Sequence, residues 1–287
     1  MQFDTETQSQ LRLAAAILLA AFCAVAPRLR AQESPYFVLY DHHMEEPGNL
    51  EVALTPVLGT PKQGARSLAS SVELEYGSTA WWTTALYLDG VTSSGARAFT
   101  GYRLENRFRL LMDEHVINPV FYIEYSDGNG ADRIAKEIVG FDSWRDYTEP
   151  VAEARQEKER EIETKLILSS NTHGWNLATN LIAEKNLAGE PWEFGYAIGT
   201  SRPLALAASP ERCAFCSENF TAGIELYGGV GEQRNVTLRD TAHYLAPTIA
   251  WSLPRGVTLR FSPSFGLTSA SLRSFVRFGI AFEGRVR

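Results

Sequence analysis

Apolar and polar side chains alternate along most of this chain after Asn49. In VELEYGSTAWWTTALYL, residues 72–88, Val72, Leu74 and Tyr76 take one parity and Glu73 and Glu75 the other, with a short break at Gly77-Ser78-Thr79-Ala80. A period of two predicts strands, because successive side chains of a strand point to opposite faces. The pattern returns in NLEVALTP (Leu50, Val52, Leu54) and in TGYRLENRFRLL, where Tyr102, Leu104, Phe108 and Leu110 oppose Arg103, Glu105, Arg107 and Arg109. It continues with Phe121, Ile123 and Tyr125 against Tyr122 and Glu124, and ends on Val276, Phe278, Ile280 and Phe282.

Runs near 49–58, 68–77, 81–90, 98–111, 118–126, 158–170, 174–184, 191–201, 219–230, 241–253, 257–268 and 272–284 predict about twelve strands. Each is roughly 9 to 12 residues long, the length of a tilted membrane strand rather than the globular mode of about 5 to 6. An even count puts both chain ends on one side of a barrel, expected to be the periplasmic side. Tight turns at Ser78-Thr79-Ala80, Asn171-Thr172-His173 and Pro254-Arg255-Gly256 fall on that side, and the connections on the other side are on balance longer. Segment 202–218 is a long connection among the short ones, which requires either an elaborated turn or a miscounted strand. Segment 127–157 opens on the turn formers Asp127-Gly128-Asn129-Gly130 and later places Arg155 and Glu159 at helical spacing. It is expected as a solvated charged face, either a loop with a short helix or part of an extended strand.

A soluble sandwich would alternate in the same way, and aromatic placement separates the two. Tyr76, Trp81, Trp82, Tyr125, Trp175, Trp192 and Trp251 stand mostly near the ends of runs, where a membrane barrel carries its interfacial girdles. In the last strand, Arg277-Phe278-Gly279-Ile280-Ala281-Phe282 resembles the polar-x-Gly-x-x-aromatic signal that outer-membrane barrels present to their insertion machinery, although the chain then runs through Gly284 to Arg287. More broadly, VELEYGSTAWWTTALYL, GYRLENRFRL, WNLATNLIAEKN, WEFGYAIG and FVRFGIAFE resemble transporter barrels of Gram-negative bacteria, including the phenol-degradation (MetA-pathway) type. The resemblance implies an all-β, antiparallel up-and-down transmembrane β-barrel over residues 49–287, located in the outer membrane. It implies a porin-like channel for small polar or aromatic solutes, with outer-membrane lipid and the insertion machinery as partners. It carries over no catalytic residue.

Composition narrows the classes further. With 45% hydrophobic and 21% charged residues in 287, the chain is neither disordered nor a helical polytopic membrane protein. The mean hydropathy of -0.17 agrees. Its one long apolar run, Leu13 to Pro27, is shorter than the roughly 20 residues of a spanning helix. That run reads as the core of a signal peptide over residues 1–31, with Leu29-Arg30-Ala31 before the cut; a buried N-terminal helix is the alternative. Residues 32–48 are then expected as a periplasmic segment ahead of the barrel. Removing residues 1–31 takes three of the 27 basic and two of the 34 acidic residues, leaving 24 against 32. That acidic balance argues against nucleic acid as a partner.

Candidate chemistry follows from the inward parity. Glu73, Glu75, Arg103, Glu105, Arg107, Arg109 and Glu124 are expected to form a charge ladder lining the lumen. They either set up a transverse field that steers small polar or anionic solutes, or cross-link one another and plug a modest bore. Cys213 and Cys216, in CAFC, are read as a local disulfide, with metal or redox work as the alternative. Asp41-His42-His43-Met44-Glu45-Glu46 is the one cluster of ligand types, but adjacent histidines in an extended segment project to opposite sides, so no metal site is expected there. No Gly-rich phosphate loop or nucleophile elbow is present, and neither a cofactor nor enzymatic activity is expected. Two alternatives to a channel stay open: a closed barrel with a structural role, and a barrel-embedded lipid hydrolase, for which no spacing singles out a Ser-His pair.

Overall fold

The computed structural model describes residues 34–93, 96–134, 137–207 and 213–286, so the expected signal peptide at 1–31 lies outside the described residues. The strands are β1 (Asn49–Thr60), β2 (Ser67–Thr79), β3 (Trp82–Ser93), β4 (Ala96–Arg109), β5 (Asn118–Asn129), β6 (Lys158–Thr172) and β7 (Trp175–Asn186). They continue with β8 (Trp192–Pro203), β9 (Phe220–Glu232), β10 (Asn235–Val236), β11 (His243–Leu253), β12 (Val257–Gly266) and β13 (Ser274–Arg285). Twelve of them close an antiparallel barrel in which each strand pairs with the next, β9 passes directly to β11, and β13 returns to β1. The remaining strand, β10, is a two-residue ribbon on the end of β9. The twelve expected runs coincide with these strands to within a few residues. Among the described residues of segment 202–218, no further strand follows the end of β8 at Pro203, and a 3-10 turn at Ser217–Asn219 leads into β9.

The wall follows the alternation. Val72, Leu74 and Tyr76 point outward at 38%, 36% and 39% exposure, while Ser71, Thr83 and Asn180 are buried inside. The first and last strands meet at one rim, the terminal rim, where β1 starts and β13 stops. Two tight turns at this rim need residues with positive φ. His173 (φ 48°) and Gly174 (φ 79°) link β6 to β7, one residue later than expected, and Arg255 (φ 74°) and Gly256 (φ 73°) serve between β11 and β12. Turns with positive φ at both central positions match the right-handed twist of paired strands. Aromatic rings gather at the same rim: Trp82 stacks on Phe108 with centroids 6.2 Å apart, and Trp251 on Phe220 at 5.6 Å. Cys213 and Cys216 are disulfide-bonded with Cα atoms 5.4 Å apart. Trp251 Nε1 donates to the Ala214 carbonyl at 2.8 Å, which holds that small loop beside β11.

Among the described residues, two pieces of chain enter the barrel. Residues 34–46, expected as a stretch ahead of the barrel, run through its interior as a strap; Tyr36, Val38 and Leu39 are buried in one cluster with Val57 and Ala69 of the wall. Segment 127–157 departs from the solvated face expected of it. β5 continues to Asn129 and β6 begins at Lys158, a single helical turn occupies Val151–Ala154, and the part between folds across the far mouth. There Ile134 and Ile138 join the strap's apolar cluster, the Gly140 amide donates to the Phe194 carbonyl at 3.0 Å, and the Trp144 amide donates to that of Ala270 at 2.8 Å. The physical reason is that apolar residues scattered in a charged stretch find cover inside the barrel, and charges carried in with them are met there, Glu137 by Lys165 and Arg133 by the carbonyls of Gly130 and Asp132.

Candidate functional site

The lumen has two unlike sides. β9, β11 and β13 contribute Tyr227, Tyr244 and Phe275, whose rings pack with centroids 5.4 Å and 5.1 Å apart. β2 to β6 contribute charge. Period-two folding puts Arg103, Glu105 and Arg107 on one face of β4, and each then needs an opposite charge, because an unpaired buried ion is costly.

Those partners come from neighbouring strands. Arg103 Nε donates to Asp89 at 2.7 Å, its Nη1 lies 3.4 Å from Glu124, and its guanidinium sits over the Tyr87 ring at 4.3 Å. Arg107 pairs with Glu75 and, at 2.9 Å, with Glu105. The Tyr87 hydroxyl lies 2.7 Å from Glu73 and 2.8 Å from Glu105, which links the two groups. Six of the seven expected ladder residues thus meet in one network. Arg109 stands apart and donates to the His42 carbonyl at 3.1 Å.

The sequence reading missed Asp89, Lys165 and Arg277. Lys165, at 1% exposure, reaches Glu163 at 2.8 Å and Glu137 at 2.7 Å. Its parity with Ile167 was the available signal, hidden by the dense charges of KEREIETK. Arg277 donates to the Tyr227 hydroxyl at 2.8 Å and to Ser264 at 2.7 Å.

The strap is held by wall side chains acting on its backbone. Glu225 Oε1 accepts the amides of Phe37, Val38 and Leu39 at 3.1, 2.9 and 2.8 Å. Asn180 accepts from the Tyr40 amide at 2.7 Å and donates to the Tyr40 carbonyl at 2.8 Å. Ser169 accepts the His42 amide at 2.8 Å, and Arg260 donates to the Tyr36 carbonyl at 3.3 Å. An extended segment without a partner strand thereby has these backbone amides and carbonyls satisfied. The Tyr40 hydroxyl donates to Glu105 at 2.7 Å, which ties the strap to the charge network.

His42 and His43 stack with centroids 4.4 Å apart instead of projecting to opposite sides, and His42 is buried. His42 Nδ1 lies 2.5 Å from Ser169 Oγ, and His43 Nδ1 lies 2.9 Å from Asp41. Among the described residues no group of three or more His, Cys, Asp or Glu is arranged to hold a metal. At the far mouth, Asp142 accepts the Val139 amide at 3.3 Å. Withdrawal from water pushes its carboxyl well above the usual carboxylate range, and the Glu193 carboxylate adds to the shift. Between the strap and the wall formed by β1 to β4, β12 and β13 remains a cavity of about 430 Å³, bordered by Tyr40, Glu73, Glu75, Arg103 and Arg107.

No protein-family model and no curated protein matches the sequence. Among solved structures, the chain is similar to the COG4313 outer membrane channel from Pseudomonas putida F1, at 10% identity and a TM-score of 0.55, covering 85% of this chain and 98% of that one. It is also similar to the KdgM porin, at 7% identity and a TM-score of 0.50, covering 81% and 98%. At this identity the likeness is one of fold: a closed barrel of the outer-membrane type spanning nearly the whole of both neighbours.

Proposed function

We propose that this chain is an outer-membrane channel of porin type for small solutes, exported through its N-terminal signal and closed in the described state by its own strap. The observation that carries the reading is the contrast between the two faces of the wall, apolar outside at Leu74 and Val276 and charged inside at Arg103 and Arg107. A buried ion network on a single-layer sheet suits a polar lumen in a lipid surround. The strap contributes no ladder to the wall, so it can leave while every strand pairing stays intact. The aromatic side and the charged side of the lumen together suit small polar or aromatic solutes. The two neighbours with comparable folds are an outer membrane channel and a porin by description. The partners on this reading are outer-membrane lipid and the machinery that inserts the last strand.

The test is planar-bilayer conductance of the refolded chain and of a form lacking residues 34–46, with a heat-modifiable gel shift reporting the folded barrel. Discrete steps that grow on deletion support a strap-gated channel. A second reading, a closed barrel with a structural role, is favoured by the filling of the lumen from both mouths. A folded barrel that stays silent after deletion would select it. Ser169 and His42 do approach each other, but Ser169 is buried and its hydroxyl holds the strap amide, so we assign the pair to docking and not to lipid hydrolysis.

A further inference from the structure

Val116 and Phe215 are the most exposed large apolar side chains among the described residues, at 84% and 76%. Both stand in connections at the terminal rim, Val116 between β4 and β5 and Phe215 between β8 and β9. They are not alone. Leu110, Met112 and Ile117 are more than half exposed in the first connection, as are Leu204 and Leu206 in the second. Apolar side chains gathered and bared in this way mark a surface that something apolar covers.

The second connection is fastened to the outside of the barrel. Trp251 of β11 and Phe220 of β9 are cross-strand partners, and they share the outward parity of Ile249 and Ile224. The Phe215 ring packs against Trp251 with centroids 4.8 Å apart, so the loop closed by the Cys213–Cys216 disulfide lies against the outward girdle and not over the lumen. Besides the bond from Trp251 Nε1, the Asn219 side chain donates to the carbonyls of Cys213 and Ala214 at 2.7 and 3.1 Å, which fixes the loop in place.

The first connection sorts its own side chains. Glu114 accepts a bond of 3.3 Å from Asn171, which has the inward parity of Ser169 on β6. The buried Asn118 accepts the His115 amide at 2.7 Å and donates to the His115 carbonyl at 2.8 Å. The polar middle of the loop is thereby tied to the lumen side, and the apolar residues before and after it stay uncovered. Leu110 carries on the outward parity of Phe108, whose ring stacks on Trp82.

We infer that both connections are seated in the lipid leaflet at the terminal rim, with Phe215, Val116 and their neighbours at the boundary between phospholipid headgroups and acyl chains. This rests on the outer-membrane reading and adds to it two anchors beyond the strand ends. It also gives a use to the long connection 202–218 on the side of the short turns. Continuity decides for lipid over a protein partner. Each apolar loop runs on from an outward aromatic pair, Trp82 with Phe108 or Trp251 with Phe220, where a barrel meets the membrane interface. The two loops are separated around the rim by β5 to β8, as a surrounding lipid annulus allows. Apolar side chains lying in that boundary bind in proportion to the area they bury there.

The test places the photoreactive analogue p-benzoylphenylalanine at Phe215, at Val116 and, for comparison, at Leu74 of the outward wall. Each full chain is refolded into vesicles of phosphatidylethanolamine and phosphatidylglycerol, and a heat-modifiable gel shift selects the folded barrel. Mass spectrometry after irradiation identifies what each site has joined. Phospholipid adducts at both loop sites, in yields comparable to that at Leu74, are expected. Adducts at Leu74 with none at either loop overturn the inference and leave the wall in lipid, and adducts at one loop alone overturn the anchor at the other. Cross-links from the loops to a second copy of the chain make this rim a protein interface and equally overturn the inference. Absence of lipid adducts at all three sites overturns the outer-membrane reading with it.

Discussion

Glu225 accepts a hydrogen bond of 2.8 Å from the amide of Leu39, 186 positions away in the chain. The same carboxylate oxygen takes the two preceding amides, of Val38 and Phe37. Three consecutive backbone donors converging on one buried anion hold an extended segment regardless of its side chains.

Glu225→Ala should therefore release the strap. Hydrogen bonds to charged groups contribute about 1.5–3 kcal/mol each, so the loss of three exceeds what the remaining pins at Asn180 and Ser169 restore. Hydrogen exchange at residues 37–42 should rise sharply while the heat-modifiable shift of the barrel is kept. Unchanged protection of those amides would show that the apolar cluster, not the carboxylate, holds the strap.

Arg107→Ala should leave Glu75 and Glu105 buried without their cation. Breaking a buried pair in this way costs about 3–5 kcal/mol. Arg109→Ala removes one contact to a carbonyl and should cost much less. Urea unfolding of both variants in detergent measures the difference, and equal midpoints would contradict the assigned network. Glu75→Gln in the Arg107→Ala background should recover part of the loss.

Leu74→Arg, Val276→Arg and Ile280→Arg each put a charge on the outward face, where an Arg near the bilayer midplane costs roughly 2–4 kcal/mol. Assembly into vesicles should fall for all three. Normal assembly of all three would mean that this face does not meet lipid.

Asp142 gives the far-mouth loop a pH dependence with a definite sign. Its carboxyl in the docked loop titrates above the ordinary value of 3.8, so docking binds a proton. That contribution is complete below the ordinary value and is lost as pH rises through the elevated one. Cleavage of the loop at Arg145 by trypsin should accelerate across that upward range, and Asp142→Asn should flatten the profile. A profile identical in the two proteins would remove Asp142 as its origin.

Local periodicity carried most of the wall. The parity of Val72, Leu74 and Tyr76 against Glu73 and Glu75 was readable because a strand between lipid and lumen leaves no freedom in which residues face which side. The strap was not readable, since its partners Glu225, Asn180 and Ser169 lie on three distant strands and act on its backbone, which has no sequence signature. Lys165 was obscured by its charged neighbours, and it becomes distinct once its opposition to Tyr122 fixes its face. Opposition of like charges exists only through register: Glu163 and Glu184 sit 21 positions apart with nothing in either strand to announce the other.

The seam between β1 and β13 joins Asn49 to Arg285, the most distant pairing in the wall. Contacts at such separation form late, because the loop they close is almost the entire chain. The strap leads straight into one lip of that seam, through Gly48, whose amide donates to the Gly77 carbonyl at 2.8 Å and whose own carbonyl accepts from Val286 at 2.9 Å. Biogenesis thus ends where the strap begins: the last zipper to close is the one from whose lip the leading segment turns inward.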